Sequence, residues 1–252
     1  MSTIYDLVRE AVRNGTPLAT ITVLAGGPVG AKMALKPDGQ TIGDLGEASL
    51  TAQAVQAALP LLVAGETQTV TLSPEVTIFV ESFVPPPTLY MVGGVHISIA
   101  LAALAKVVGF RTVVIDAREA FATGERFAHV DELILAWPDE ALEGRLDARS
   151  SVAVLTHDPK LDDPALRVAL RSPARYIGAL GSPKTHARRL ERLAAEGFTP
   201  ADLARIHGPI GLPIGAKTPE EIALSILAEV VQVARRGSAA TGQRGGSTND
   251  PA

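Results

Sequence analysis

The 252-residue sequence predicts an α/β protein, with a doubly wound parallel sheet in its C-terminal part and a smaller α+β domain before it. Three observations carry this expectation. From residue 88 onward, short β-branched runs alternate with helix-length segments rich in Ala and Leu, the pattern of strands joined by crossover helices. Pro85, Pro86 and Pro87 interrupt the chain with a stiff extended connector, because proline fixes φ and removes a backbone donor. The composition, 46% hydrophobic and 20% charged, is that of a globular chain with material for a sizeable core.

The N-terminal domain is assigned to residues 1–84. Leu18 to Leu24 alternates like a strand, and Lys32 to Lys36 can pair with it. Lys36-Pro37-Asp38-Gly39 reads as a turn. Ser49 to Val63 has helical character, and Gln68 to Leu72 and Val76 to Val80 resemble two more strands.

The second domain is assigned to residues 88–236. Thr88 to Val92 is an apolar strand ending in Gly93-Gly94. A helix from His96 to Val108 follows, stopped by Gly109 as a C-terminal glycine should stop it. Strands are expected at Arg111 to Asp116, Glu132 to Trp137, Ser151 to Thr156 and Arg175 to Leu180. Helices are expected from Pro164 to Arg171 and from Pro183 to Glu196. Thr218 can cap the last helix, Pro219 suits its first turn, and Glu221 completes a capping box. Ile222, Ile226, Val230 and Val233 then share one helical face, which packs on the sheet. Right-handed crossovers would make this a Rossmann-like arrangement. From Gly237 the chain is rich in Gly, Ser and Thr with almost no apolar residues, and a disordered tail over 237–252 is expected.

Composition also excludes whole classes. The net charge of -4 argues against nonspecific nucleic-acid binding, which needs clustered Lys and Arg. With no cysteine in the chain, disulfides, thiolate metal sites and a Cys nucleophile are unavailable. Met1 to Arg13 lacks a signal-peptide apolar stretch. The most apolar helix candidate, Ile97 to Phe110, contains Lys106 and is shorter than the roughly 20 residues a bilayer span takes. A cytoplasmic protein without a membrane span is expected.

In an open parallel sheet, ligands bind at the carboxyl ends of the strands, near the point where strand order reverses. That rule gathers Gly93, Gly94 and His96 from one strand end, and Asp116 and Arg118 from the next. His157 and Asp158 come from a third, and Gly178, Gly181, Ser182 and Lys184 from a fourth. Gly93 to Asp116 has the spacing of a glycine turn and a ribose-binding acid. The second glycine of that fingerprint is Val95 here, however, and its Cβ obstructs the usual dinucleotide pose. His157-Asp158 suits a base, a proton shuttle or a metal ligand, or else a polar turn whose Asp caps the next segment. The five histidines lack a close pair, which argues against zinc. His129 and His207 are read as structural. Arg188, Arg189 and Arg192 read as a solvated helix face, although a helix starting at Gly181-Ser182-Pro183 offers amides and a dipole suited to phosphate. No Walker loop or nucleophile elbow is present.

Several separated blocks resemble the xanthine dehydrogenase accessory family, also called the XdhC/CoxI family. They are 154–158 (Val-Leu-Thr-His-Asp), 176–182 (Tyr-Ile-Gly-Ala-Leu-Gly-Ser), 206–212 (Ile-His-Gly-Pro-Ile-Gly-Leu) and the terminal stretch 214–223. Gly30-Ala31-Lys32-Met33 and Gly43-Asp44-Leu45-Gly46 are similar to its N-terminal motif. The resemblance implies an N-terminal family domain followed by a Rossmann domain. It also implies a protein that binds molybdenum cofactor, supports its sulfuration and delivers it to a molybdenum-containing dehydrogenase. The partners implied are that dehydrogenase and a cysteine desulfurase, and a homodimer is a reasonable assembly.

In that reading the chain is a chaperone rather than an enzyme. The cofactor's phosphate would sit at Gly181 and Ser182 with Lys184 or Arg188 adding charge, while His96, His157 and Asp158 meet the pterin or the molybdenum oxo groups. Two positions depart from the family pattern. Ser49 stands where a cysteine would be, and Gly-Ala-Gly-His becomes Gly93-Gly94-Val95-His96. Two alternatives follow: an NAD(P)- or flavin-dependent oxidoreductase using Asp116, and a scaffold that binds only the dehydrogenase or a sulfurtransferase.

Overall fold

The computed structural model describes residues 3–239, and the chain divides into two compact units, one up to Pro85 and one from Pro86 onward. The first unit is α+β. Helix α1 (Ile4–Asn14) starts at a capping box between Thr3 and Asp6 and ends at Gly15 in the left-handed conformation. Then come β1 (Leu18–Ala25), β2 (Lys32–Leu35), β3 (Thr41–Ile42), α2 (Ala48–Ala64), β4 (Gln68–Thr71) and β5 (Thr77–Phe83). The strands form one antiparallel sheet in the order β3-β2-β1-β5-β4.

Alternation along β1 sends Ile21 and Val23 to one face, where Leu50, Ala54, Ala58 and Leu61 of α2 bury them. The spacing of those helix residues is the apolar stripe a sheet-packing helix needs. On the opposite face, Ala11 of α1 packs with Leu18 and Ala34. Neither α1 nor β3 is evident from the sequence. In α1 the charged residues hide a stripe that only Leu7, Val8 and Ala11 supply.

The second unit contains β6 (Thr88–Val92), α3 (His96–Val107), β7 (Arg111–Ile115), β8 (Glu132–Ile134), α4 (Pro138–Leu142) and β9 (Ser151–Val154). It continues with α5 (Pro159–Arg171), β10 (Tyr176–Ala179), α6 (Pro183–Ala195), α7 (Pro200–Leu203), β11 (Ile206–His207) and α8 (Pro219–Ala239). Its six strands form a parallel sheet in the order β11-β10-β9-β6-β7-β8. The chain winds outward from β6 through β7 to β8, then returns to β9 on the other side of β6. The switch point therefore lies between β6 and β9.

One face of this sheet packs on α3 and α8, through Leu101, Ala105, Ile226 and Val230. The other packs on α4, α5 and α6, through Leu142, Leu166, Leu170 and Leu193. Strands covered on both faces read as continuous apolar runs, and every residue of β9 and β10 is buried. Each Val or Ile so buried contributes about 1.5–3 kcal/mol.

Strand β8 ends at Ile134 rather than Trp137, β9 ends at Val154 rather than Thr156, and two helix boundaries differ from the sequence expectation. Helix α5 starts at Pro159, capped by Asp158, with Pro164 inside it. A proline suits the first turn of a helix, and of the two available it is Pro159 that occupies that place. Helix α8 runs to Ala239, into the segment expected to be disordered, and residues 240–252 of that expectation lie outside the described residues.

Candidate functional site

Four turns meet the carboxyl edge of the parallel sheet, following β6, β7, β9 and β10. The β6 turn is built from two glycines that the fold itself requires. Gly93 has φ 115°, and a Cβ there would lie 2.7 Å from Thr156 Cγ2. A Cβ on Gly94 would lie 2.7 Å from the carbonyl oxygen of Phe121. These glycines admit the neighbouring turns, so close packing within the protein accounts for them without a pyrophosphate. Helix α3 follows with Val95 at its N-cap and no side-chain cap. His96 in its first turn is exposed.

Asp116, at the end of β7, is 1% exposed, and its carboxylate accepts four hydrogen bonds. Oδ1 accepts from the backbone N–H and Nε of Arg118, both at 2.9 Å. Oδ2 accepts from the Gly94 N–H and from Arg118 Nη2, both at 2.8 Å. Four is the capacity of a carboxylate. Burial alone would push this carboxyl up, but the bonds from Arg118 and Gly94 outweigh it and hold it below its ordinary range. Asp116 thus clasps the β6 turn to the β7 turn, and the ribose-binding role read from its spacing would require breaking one of these bonds. Arg118 stacks over the Phe121 ring, 4.3 Å from its centroid. Its guanidinium feels Asp116 first, then Asp158 and Asp162 across the switch point.

His157, after β9, is exposed and has φ 63°, the one non-glycine residue with positive φ among those described. A β-carbon in that region is strained. Asp158 caps α5 by accepting from the Lys160 N–H at 3.0 Å, the structural half of the two roles read for it. Thr156, just before His157, donates its hydroxyl to Asp162 Oδ1 at 2.5 Å.

After β10, Gly181 has φ 144°. Ser182 caps α6 by accepting from the Thr185 N–H at 3.2 Å. Lys184 and Arg188 are exposed. Arg189 is not part of a solvated face, contrary to the sequence expectation. It is buried, and its Nη2 donates to the Leu180 carbonyl at 2.8 Å and to Asp162 Oδ2 at 3.2 Å. Arg192 binds Asp163 in a two-pronged pair, at 2.7 and 2.9 Å. The physical reason is the complementary Asp162-Asp163 pair on α5, a signal present in the sequence but invisible until the two helices are known to be neighbours.

A second polar cluster, on the α8 side of the sheet, is not evident from sequence. Glu229 accepts from the Tyr176 hydroxyl at 2.6 Å and from the Gly211 N–H at 2.8 Å, and lies 3.0 Å from His207 Nδ1. Burial, then the Glu229 bond, pushes the Tyr176 hydroxyl up. A Cβ on Gly178 would lie 2.5 Å from that hydroxyl, so Gly178 admits Tyr176 rather than a ligand. The cluster ties β10 and β11 to α8. The one readable signal is Glu229 on an otherwise apolar helix face. His129 Nε2 lies 3.1 Å from the Ile99 carbonyl, and this contact ties His129 to α3.

Among the described residues no His, Asp and Glu side chains cluster in a way that could hold a metal ion, and no helix is long and apolar enough to cross a membrane. In the first unit, Ser49 is exposed in the first turn of α2.

A doubly wound parallel sheet whose turns converge at a switch point defines a Rossmann-type domain. The chain belongs to the XdhC family: residues 89–230 match the model of the XdhC Rossmann domain and residues 11–73 that of the XdhC and CoxI family. It is 35% identical over 159 residues to a protein of Bacillus subtilis described as a probable xanthine dehydrogenase subunit, across 63% of this chain and 46% of that protein. It is 33% identical over 106 residues to the molybdenum cofactor insertion chaperone PaoD of Escherichia coli, across 42% of this chain and 32% of that one. The match thus spans less than half the length of either relative. A crystal structure described as a xanthine dehydrogenase from Bacillus halodurans shares the fold, with a TM-score of 0.71 at 24% identity over 95% of this chain and 69% of that one.

Proposed function

We propose that this protein is a non-catalytic accessory factor that carries molybdenum cofactor as cargo to a molybdenum-containing dehydrogenase, and that it works in the cytoplasm. The observation that carries the reading is the state of the switch-point crevice. Its acid, Asp116, is fully bonded inside the protein, while His96 and His157 are exposed at strand ends without a hydrogen-bond partner among the described residues. That arrangement favours a binding site over a dinucleotide site, and an NAD(P)- or flavin-dependent oxidoreductase is correspondingly disfavoured. The name of the PaoD relative supports the same choice of cargo. His96 and His157 would meet the pterin or the oxo groups, and the start of α6 would take the phosphate. Asp158, which caps α5, would present what capacity its carboxylate retains. Support of cofactor sulfuration, with a cysteine desulfurase as partner, belongs to the same proposal, but Ser49 offers no thiol for it.

Anaerobic titration of the protein with molybdenum cofactor tests this. Tight binding near one per chain is expected, and His157→Ala should weaken it about tenfold, as the loss of one charged or polar contact does. Unchanged affinity in that variant removes His157 from the site. No binding by the native chain would leave a scaffold that acts through its protein partners.

A further inference from the structure

The central strand of the first unit, β1, carries a buried hydroxyl that the protein itself leaves unmet. Side chains alternate along a strand, so Thr20 points away from the face that Ile21 and Val23 give to α2. It points to the face on which Ala11 of α1 packs with Leu18 and Ala34. Thr20 is 2% exposed, and its hydroxyl has no hydrogen-bond partner among the described residues. A buried hydroxyl left unpaired costs stability. Valine has the same shape, suits a strand equally and avoids that cost. Stability alone therefore does not account for a hydroxyl at position 20.

Its surroundings do. Between the first two turns of α1 and the sheet lies a cavity of about 300 Å³ with Thr20 in its lining, a volume at the lower end of those that hold small molecules. Ile4 and Val8 of α1 and Phe83 of β5 supply apolar wall, and Lys32 and Glu81 supply charge. Glu81 on β5 lies opposite Thr20, and Lys32 on β2 lies opposite Thr22. Residues directly opposite share a face, so the cation and the anion stand on this one, on strands either side of β1. Lys32 is exposed and Glu81 half-buried. Neither side chain makes an ion pair or a hydrogen bond among the described residues.

We propose that this cavity is a binding site for a small zwitterion with an apolar body, of the α-amino acid class. Its ammonium group meets Glu81 and donates to the Thr20 hydroxyl, its carboxylate meets Lys32, and its side chain lies among Ile4, Val8 and Phe83. Rotation about χ1 exchanges the hydroxyl and methyl of Thr20, so the oxygen can turn to the ligand. A plain carboxylic acid would set its anion near Glu81 with nothing to offset the repulsion, and a plain amine would do the same near Lys32. A molecule carrying both charges is complementary to both. The site belongs to the first unit alone and is independent of the cargo reading.

The experiment is calorimetric titration of the full chain with L-valine, L-leucine and L-phenylalanine, each beside its amide and its deaminated acid, which carry one charge apiece. Saturable binding of at least one amino acid is expected, about tenfold tighter than either of its single-charge analogues. Glu81→Gln should weaken that amino acid about tenfold and leave it no tighter than its deaminated acid. Lys32→Met should weaken it less, about threefold, because solvent and salt screen an exposed charge. Thr20→Val should weaken it severalfold while raising Tm, since the variant removes an unpaired buried group. No saturable binding by any of the three amino acids overturns the proposal. So does equal binding of an amino acid and its deaminated acid by the native chain, or a Kd unchanged in both Glu81→Gln and Thr20→Val. Glu81 has no partner among the described residues to lose, so the Kd of Glu81→Gln stays readable whatever Thr20→Val does to the fold.

Discussion

The crevice is flanked by two buried acid–arginine pairs, and they are built on opposite principles. Asp116 meets Arg118 with all four of its acceptor positions filled, and the guanidinium reaches partly into solvent with its side chain 34% exposed. Asp162 meets Arg189 through one bond from an arginine that is itself buried, with two of its nitrogens unpaired. The consequence appears in their carboxyls, one held below its ordinary range and the other pushed above it. Both are salt bridges, so pairing does not decide the outcome. The number of hydrogen bonds set against the cost of burial does. The first pair satisfies every acceptor of its carboxylate, and the second leaves a buried guanidinium with two nitrogens short of acceptors.

The largest effect expected from this contrast falls on the saturated pair. Asp116→Asn turns an amide donor toward backbone and guanidinium donors that now meet a carboxylate. It should cost about 2–4 kcal/mol, measured by denaturant unfolding at pH 7. Because the folded carboxyl is depressed, its contribution is present above the unfolded value of 3.8 and fades as pH falls toward its own lower value. The gap between variant and native protein should therefore narrow below that pH. A gap that stays constant would show that the clasp acts through shape alone.

The second pair should behave differently. Replacing it outright, with Arg189→Met and Asp162→Leu together, is expected to leave stability within about 1 kcal/mol of the native protein. Its carboxyl is raised on folding, so the stability it contributes is full at low pH and declines as pH rises through the folded value. A loss as large as that of Asp116→Asn would mean the two pairs are alike after all.

The smallest effect concerns the turns beside these pairs. The β6 turn uses Gly93 for its positive φ, whereas the β9 turn uses His157. His157→Gly should relieve left-handed strain and raise stability by up to about 1 kcal/mol, seen as a higher Tm. Cofactor affinity should fall in the same variant. A lower Tm would indicate that the imidazole is held by packing rather than kept in place for a ligand.

Much of this is legible in the chain. Glycine at 109, the capping box at Thr218 and Glu221, and the β-branched runs each state a local preference strong enough to survive folding. Every strand of the second sheet except β11, a two-residue edge strand, can be placed within a few residues. The site is less legible. Gly93, Gly94 and Asp116 do gather at one edge, but they read as a nucleotide fingerprint when their space and bonds are taken by Thr156, Phe121 and Arg118. Glycine spacing reports a close approach without saying what approaches.

The sequence by itself determined most of the strands and the long helices, the alternation that makes the sheet parallel, and the edge where its turns collect. These follow from periodicity, caps and breakers within about 20 residues of each other. Only the tertiary structure decided which polar groups remain available there. Asp116 and Arg189 are both charged residues near that edge, and the sequence around Arg189 does not show that its guanidinium is buried and left short of acceptors. Arg118, two residues on, supplies three of the four bonds to Asp116, but the fourth comes from Gly94, 22 residues away, and the acid that meets Arg189 lies 27 residues away, both brought close by the crossovers that make neighbours of the strands and helices carrying them.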